Sequence, residues 1–86
     1  MTYTVFTKPA CPQCDQAKAL LNAKGLTFET VALDVGQPKD ANQKYVTRDE
    51  LLAIYPAARM MPVVAVKKMD GYHVIGSLPE LKQHLA

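Results

Sequence analysis

A strand, a helix and a second strand follow one another at the start of the sequence, and this order most constrains the fold. Thr2 to Thr7 is rich in β-branched and aromatic residues, which is typical of a strand. From Pro12 onward apolar residues recur at helical spacing, and Gly25 marks the predicted end of that helix. Leu26 to Val35 is a second predicted strand. Two strands joined by a crossover helix pair in parallel, so the sequence predicts an α/β protein.

The rest of the chain extends the predicted order to β-α-β-α-β-β-α. A second helix is centred on Arg48 to Tyr55, and Thr47 followed by Glu50 has the spacing of a capping box, although the start of this helix is left open. Met61 to Lys68 and Tyr72 to Gly76 are predicted strands, joined by an Asp-Gly step that favours a hairpin. The closing segment SLPELKQHLA is a third predicted helix. The expected architecture is a four-stranded mixed sheet flanked by helices.

Length and charge exclude several classes of protein. The 86 residues predict one domain, residues 1–86, and a hydrophobic content of 49% can form its core. A net charge of +2, with Lys67 and Lys68 as the single adjacent basic pair, does not indicate a nucleic-acid surface. No apolar run approaches the roughly 18 residues of a membrane span, and the first residues do not resemble a signal peptide. We therefore expect a cytoplasmic protein without nucleic-acid or membrane partners.

The two cysteines of the chain, Cys11 and Cys14, lie between the first strand and the first helix. A helix N-terminus presents free N–H groups and the positive end of the helix dipole, both of which stabilise a thiolate at Cys11. Lys8 adds positive charge nearby. Cys14 is about one helical turn further on, within reach of a mixed disulfide formed at Cys11. This pattern favours thiol–disulfide exchange in which Cys11 attacks and Cys14 resolves.

Three other interpretations of the cysteine pair are less favoured. A zinc site needs about four ligands, and the remaining candidates, His73 and His84, are isolated in the sequence, so no metal site is predicted. A structural disulfide across two intervening residues closes too short a loop to stabilise the fold much. Two buried, inert thiols are the third alternative. Dithiol redox chemistry is preferred because a Cys-x-x-Cys motif beside a β-α-β pattern is typical of it.

Three segments carry a resemblance to a known family. VFTKPACPQC, ARMMPVV and VIGSLPEL are similar, in the same order, to the Lys-Pro-x-Cys-Pro-x-Cys, Ala-Arg-Thr-Val-Pro and Ile-Gly-Gly-x-Asp-x-Leu segments of glutaredoxins, within the thioredoxin superfamily. The resemblance covers Val5 to Leu81. It implies a thioredoxin-like fold and a dithiol enzyme that reduces protein disulfides and glutathione mixed disulfides. It also implies glutathione as a co-substrate and no tightly bound cofactor.

The resemblance assigns roles to individual residues. It makes Cys11 the nucleophile and Cys14 the resolving thiol. It implies a cis peptide bond before Pro62, which would face the disulfide, and a backbone contact from Met61 to the cysteinyl part of glutathione or a substrate peptide. Lys8 and Arg59 match cations near the glycine carboxylate of glutathione. The residues expected to bind substrate or glutathione are Lys8, Pro12, Gln13, Arg59, Met61, Pro62, Gly76 and Ser77.

Some positions depart from the glutaredoxin pattern. Gln13 replaces the commoner tyrosine, and Pro79 replaces the aspartate that holds the γ-glutamyl ammonium group of glutathione, with Glu80 one residue later. A glutamine at the position of Gln13 instead resembles the motif of NrdH-type redoxins. Those proteins take electrons from thioredoxin reductase and pass them to ribonucleotide reductase. The sequence therefore leaves open whether glutathione or thioredoxin reductase is the electron donor. Ribonucleotide reductase is an expected disulfide-bearing partner. The protein is expected to be a monomer. An iron–sulfur carrier is disfavoured by Cys14 and the ring of Pro12.

Overall fold

The computed structural model describes residues 2–58 and 61–86 and contains five strands and three helices within them. Their bounds are β1 (Thr2–Thr7), α1 (Pro12–Ala23), β2 (Phe28–Leu33), β3 (Lys44–Val46), α2 (Arg48–Ile54), β4 (Val63–Lys68), β5 (Gly71–Gly76) and α3 (Leu78–His84).

All five strands form one mixed sheet in the order β3-β2-β1-β4-β5. The strands β1, β2 and β3 run parallel, whereas β4 is antiparallel to both β1 and β5. The predicted parallel pair on either side of α1 is therefore confirmed. The predicted hairpin is confirmed too, with β4 and β5 joined by a turn at Met69 and Asp70, and Gly71 already pairs with Lys68 as the first residue of β5.

The predicted number of four strands was wrong because β3 was missed. This strand has three residues and lies at the sheet edge, where it pairs with Val31–Leu33 of β2. Lys44 is exposed, Tyr45 is half-buried and Val46 is buried. Three residues are too few to show an alternation of apolar and polar positions that would predict a strand. Its strand conformation depends on hydrogen bonds to a neighbour distant in sequence. Two predicted strands are also shorter than expected: β2 is Phe28–Leu33, and β4 begins at Val63.

The helices cover the two faces of the sheet unequally. Successive residues of a strand point to opposite faces, so Val5 of β1 packs beneath α1 and α3 while Phe6 points to the side of α2. Leu21 of α1 and Leu81 of α3 are fully buried on the first side, and Leu51 of α2 is buried on the second. Burying a leucine side chain is worth about 1.5–3 kcal/mol, so these contacts hold the helices on the sheet.

A reciprocal capping box fixes the start of α2. The Glu50 backbone N–H donates to Thr47 Oγ1 over 3.1 Å, and the Thr47 N–H donates to Glu50 Oε1 over 2.9 Å. The second hydrogen bond favours the ionised carboxylate, so it holds the pKa of Glu50 below its ordinary value. The capping box predicted from the sequence is confirmed, and it starts α2 at Arg48, two residues after β3.

The loop that leads to the cysteines and the loop that bears Pro62 lie at the same end of the strands, which is the edge formed by the carboxyl ends of β1, β2 and β3. The parallel strands β1, β2 and β3 end at Thr7, Leu33 and Val46. Because β4 is antiparallel to β1, it begins at the same edge, where Val63 pairs with Phe6. The loop after β1 and the loop before β4 therefore meet there.

The longest described helix, α1, has 12 residues. A bilayer-spanning helix needs about 20 largely apolar residues. Within residues 2–58 and 61–86, no helix combines the length and the apolar character needed to cross a membrane.

Candidate active site

A tight loop carries the chain from β1 into α1. Ala10 adopts φ +53, the left-handed region that residues with a Cβ rarely occupy. That conformation reverses the chain direction immediately before Cys11, which has extended backbone angles and caps the helix. Pro12 occupies the first turn, as predicted, because its missing N–H is not needed there. No sequence pattern indicates the unusual conformation of Ala10.

Cys11 and Cys14 form a disulfide with their Cα atoms 5.3 Å apart. The backbone N–H of Cys14 donates to Cys11 Sγ over 3.1 Å, so the sulfur of Cys11 serves as the side-chain cap of α1. Once the disulfide is reduced, the same N–H and the helix dipole favour the thiolate form of Cys11. The predicted juxtaposition of the two cysteines at the helix N-terminus is confirmed.

The two cysteines differ in exposure. Cys11 keeps 8% of its surface exposed, whereas Cys14 keeps 2%. Thiol–disulfide exchange requires that a substrate sulfur approach the attacking sulfur closely. Of the two cysteines, Cys11 is therefore the more accessible to an incoming disulfide.

A surface depression lies in front of Cys11 and brings five of the predicted site residues together. Its lining consists of Lys8, Ala10, Cys11, Pro12, Gln13, Gln16 and Met61. Lys8, Pro12 and Gln13 are exposed around it, while Met61 is 9% exposed. Gln16, one turn after Gln13 on the same helix face, was not predicted. Its i+3 spacing from Gln13 was the signal that could have identified it.

The loop before β4 contributes Met61 and Pro62 to this region. The peptide bond between them is cis, as the resemblance implied, and Pro62 is buried. Another predicted residue, Arg59, lies outside the described residues.

Gly76 and Ser77 do not line the depression. Gly76 is the last residue of β5 and pairs with Val64 near the start of β4. It therefore lies at the same end of the strands as Pro62, but on the neighbouring strand. Glu80 accepts the Ser77 backbone N–H through Oε1 over 2.8 Å. The Ser77 hydroxyl is buried and has no hydrogen-bond partner among the described residues.

The two histidines lie away from the cysteines and line a separate depression along α3 and β5. The Nε2 atom of His84 is 3.2 Å from the Tyr3 hydroxyl, and that of His73 is 2.9 Å from Asp70 Oδ1. In the described part of the chain, no group of three or more His, Cys, Asp and Glu side chains is arranged to hold a metal ion.

Comparison with solved structures supports the fold. Glutaredoxin 1 from Francisella tularensis, solved in complex with cacodylate, superposes with a TM-score of 0.63 over 98% of this chain and 91% of that one, at 19% sequence identity. The predicted thioredoxin-like fold is therefore confirmed, with five strands in place of four.

Two curated relatives match a 30-residue stretch that makes up 35% of this chain. The hybrid peroxiredoxin hyPrx5 of Haemophilus influenzae is 57% identical over that length, which is 12% of its own chain. Glutaredoxin 3 of Escherichia coli is 47% identical, over 36% of its chain. The match thus spans well under two thirds of either relative. The glutaredoxin family model, in contrast, matches residues 3–69 of this protein. The matched region includes both cysteines and the cis proline, and the chain belongs to the glutaredoxin family.

Proposed function

We propose that this protein is a dithiol thiol–disulfide oxidoreductase that reduces protein disulfides and glutathione mixed disulfides, with glutathione as its electron donor. The observation that carries the proposal is the position of Cys11 Sγ, which caps α1, faces a surface depression and lies within disulfide distance of Cys14. The family membership supports the same chemistry.

The reductive half-reaction consists of two exchanges. The Cys11 thiolate attacks one sulfur of the substrate disulfide, a Cys11–substrate bond forms, and the other substrate sulfur leaves as a thiolate. The Cys14 thiolate then attacks Cys11 Sγ and releases the second substrate thiolate. Two electrons have passed to the substrate, and the Cys11–Cys14 disulfide remains.

Glutathione restores the dithiol in two further exchanges. One glutathione thiolate attacks Cys11 Sγ and frees Cys14. A second attacks the sulfur of the bound glutathione, so that glutathione disulfide leaves and Cys11 returns to the thiolate. The two electrons from the two glutathione thiols have then reduced the Cys11–Cys14 disulfide. Each step exchanges one sulfur–sulfur bond for another, and no tightly bound cofactor is required.

We assign substrate contacts to the residues around the depression. The backbone of Met61 pairs with the extended cysteinyl segment of glutathione or of a peptide. Lys8 attracts a ligand carboxylate, and the exposed side chains of Pro12 and Gln13 form the rim beside Cys11. Pro62, which follows Met61 through a cis peptide bond, faces the disulfide across the cleft in this proposal, as the family resemblance implies. Arg59, Gly76 and Ser77 complete the proposed glutathione site on the basis of the family resemblance.

A second candidate donor, thioredoxin reductase, is favoured by the N-terminus of α3. Pro79 offers no carboxylate at the position where glutaredoxins hold the glutathione ammonium group. The neighbouring Glu80 already accepts the Ser77 backbone N–H over 2.8 Å. A carboxylate committed to a helix cap is less available to a ligand, which would weaken glutathione binding and leave a protein reductase as the donor.

The experiment that decides between these donors starts from the Cys11–Cys14 disulfide form. Reduction is followed as NADPH consumption, in one arm with glutathione reductase and glutathione and in the other with thioredoxin reductase. Fast reduction by glutathione supports the main proposal, and fast reduction by thioredoxin reductase alone supports the alternative. Cys11→Ser gives the background in both arms. Failure of both donors would overturn the assigned chemistry.

The expected partners follow from the same chemistry. We propose disulfide-bearing enzymes such as ribonucleotide reductase as electron acceptors, and a monomer as the working form, because one carrier must dock with several partners. The reducing cytosol supplies the conditions in which a reactive dithiol stays reduced.

A further inference from the structure

A second depression adjoins the one in front of Cys11. Lys8 and Met61 line both depressions, so the two lie side by side at this pair. The lining of the second depression is Lys8, Leu33, Arg48, Leu51, Leu52, Ala58 and Met61. We call it the Leu52 depression. Apart from Lys8 and Met61, its residues have no part in the exchange steps or substrate contacts described above.

The Leu52 depression combines an apolar floor with a cationic rim. Leu33, Leu52 and Ala58 are half-buried, so each keeps some apolar surface accessible within it. Lys8 and Arg48 are exposed, and neither forms an ion pair within residues 2–58 and 61–86. A ligand that complements this surface therefore has an apolar side chain and a negative charge close together.

We propose that the Leu52 depression docks a protein substrate through the segment beside its reacting cysteine. The segment would carry a bulky apolar side chain and, two residues away on the same side of the extended chain, an Asp or Glu that pairs with Arg48. This inference rests on the proposed function and makes Arg48 and Leu52 specificity residues for protein substrates. Glutathione has no bulky apolar side chain to fill such a depression.

The shared residues Lys8 and Met61 place the two depressions within reach of one extended peptide. An extended peptide rises about 3.3 Å per residue and points alternate side chains to the same side. A substrate chain passing Met61 with its cysteine at Cys11 can therefore place a nearby side chain in the Leu52 depression. The charge on Lys8 and Arg48 adds electrostatic attraction that salt screens.

Binding can be measured without any redox step. Two peptides of equal length, with the reacting cysteine replaced by serine, are titrated into isotope-labelled oxidised protein and followed by amide chemical shifts. One peptide has Leu two residues from the serine and Glu two residues beyond the Leu, and the other has Ser and Lys at the same positions. We expect at least fivefold tighter binding of the Leu-Glu peptide at low salt, with the largest shifts in residues 48–52.

Variants test the contribution of each part. Arg48→Glu is expected to abolish or invert the preference between the two peptides. Lys82→Glu makes the same change of charge at an exposed residue of α3, and it is expected to preserve the preference between the peptides. Leu52→Ser should weaken binding of the Leu-Glu peptide, and Leu20→Ser, at a half-buried leucine of α1, is its control. If Leu52→Ser unfolds, Arg48→Glu still decides the matter.

The outcome separates this inference from the proposed function. Equal affinity for both peptides, or an unchanged preference in Arg48→Glu, overturns the docking inference even if the enzyme reduces hydroxyethyl disulfide rapidly. If the unaltered protein does not reduce hydroxyethyl disulfide but prefers the Leu-Glu peptide, the oxidoreductase assignment is overturned and the docking inference is supported.

Discussion

The backbone N–H of Cys14 donates a 3.1 Å hydrogen bond to Sγ of Cys11, so the residue that would resolve the mixed disulfide also donates a hydrogen bond to its partner's sulfur. One turn of helix thus supplies both a donor for the developing thiolate and the second thiol. The arrangement concentrates the proposed chemistry in a four-residue segment.

Replacing Cys11 by Ser should abolish disulfide reduction. The hydroxyl of serine ionises far less readily than a thiol and cannot form the mixed disulfide. Activity is measured with hydroxyethyl disulfide and with a protein disulfide, and circular dichroism checks that the variant is folded. Substantial activity of a folded Cys11→Ser protein would falsify the assignment of the nucleophile.

Cys14→Ser should separate the two kinds of substrate. Reduction of a protein disulfide needs an internal thiol to release the bound substrate, so it should fall to background. A glutathione mixed disulfide can instead be resolved by free glutathione, so that turnover should persist. Both reactions are assayed under the same glutathione concentration. Equal loss of both activities would show that the protein has no monothiol route.

Ala10→Gly should stabilise the oxidised protein slightly. Left-handed backbone costs a residue with a Cβ about 1–2 kcal/mol. Glycine relieves that strain but loses about 0.5–1 kcal/mol through its larger unfolded-state entropy, so the expected net gain is between about 0 and 1.5 kcal/mol. Urea unfolding measures the difference. A variant less stable than the parent would indicate that contacts of the Ala10 methyl group outweigh the strain.

Gly76→Ala should destabilise the fold more than Gly25→Ala. At Gly76 the backbone has φ +135, and an added Cβ would lie 2.7 Å from Cβ and Cγ of Glu80. Backbone strain alone costs about 1–3 kcal/mol, and the clash displaces the side chain that caps Ser77. Gly25 also has positive φ, but its added Cβ meets no atom within 4 Å. Urea unfolding of both variants isolates the contribution of the clash, and equal losses would contradict it.

Glu50→Gln should reduce the acid sensitivity of folding. The hydrogen bond from the Thr47 N–H lowers the folded-state pKa of Glu50 below its ordinary value of 4.5. The ionised carboxylate therefore stabilises the fold above about pH 4.5, and this contribution is lost as the pH falls through the lowered folded-state pKa. The variant keeps an oxygen acceptor but has no charge to lose.

Urea unfolding at neutral and acidic pH tests this expectation. The variant should be less stable than the parent at neutral pH, and the difference should shrink in acid. Asp49→Asn removes a charge from the same helical turn without removing a cap, so it serves as the control. A difference between Glu50→Gln and the parent that does not change with pH would refute the expectation.

Local sequence patterns determined the parts of this protein that depend on neighbouring residues. The β-branched run of β1, the Pro12 helix start, the Thr47–Glu50 capping box and the hairpin between β4 and β5 each reflect short-range geometry, and all are present as predicted. The position of the cysteine pair at a helix N-terminus followed from the same patterns.

Tertiary structure decided what depends on residues far apart in the chain. Lys44–Val46 is a strand because β2 offers a hydrogen-bonding edge, and three residues have no strand signal of their own. The parallel arrangement of β1, β2 and β3 brings Lys8, Leu33 and Arg48 to one edge, and antiparallel pairing of β4 adds Met61 to them. Sequence periodicity reports which face a side chain occupies, but the contacts across loops that form this surface arise when the strands pair.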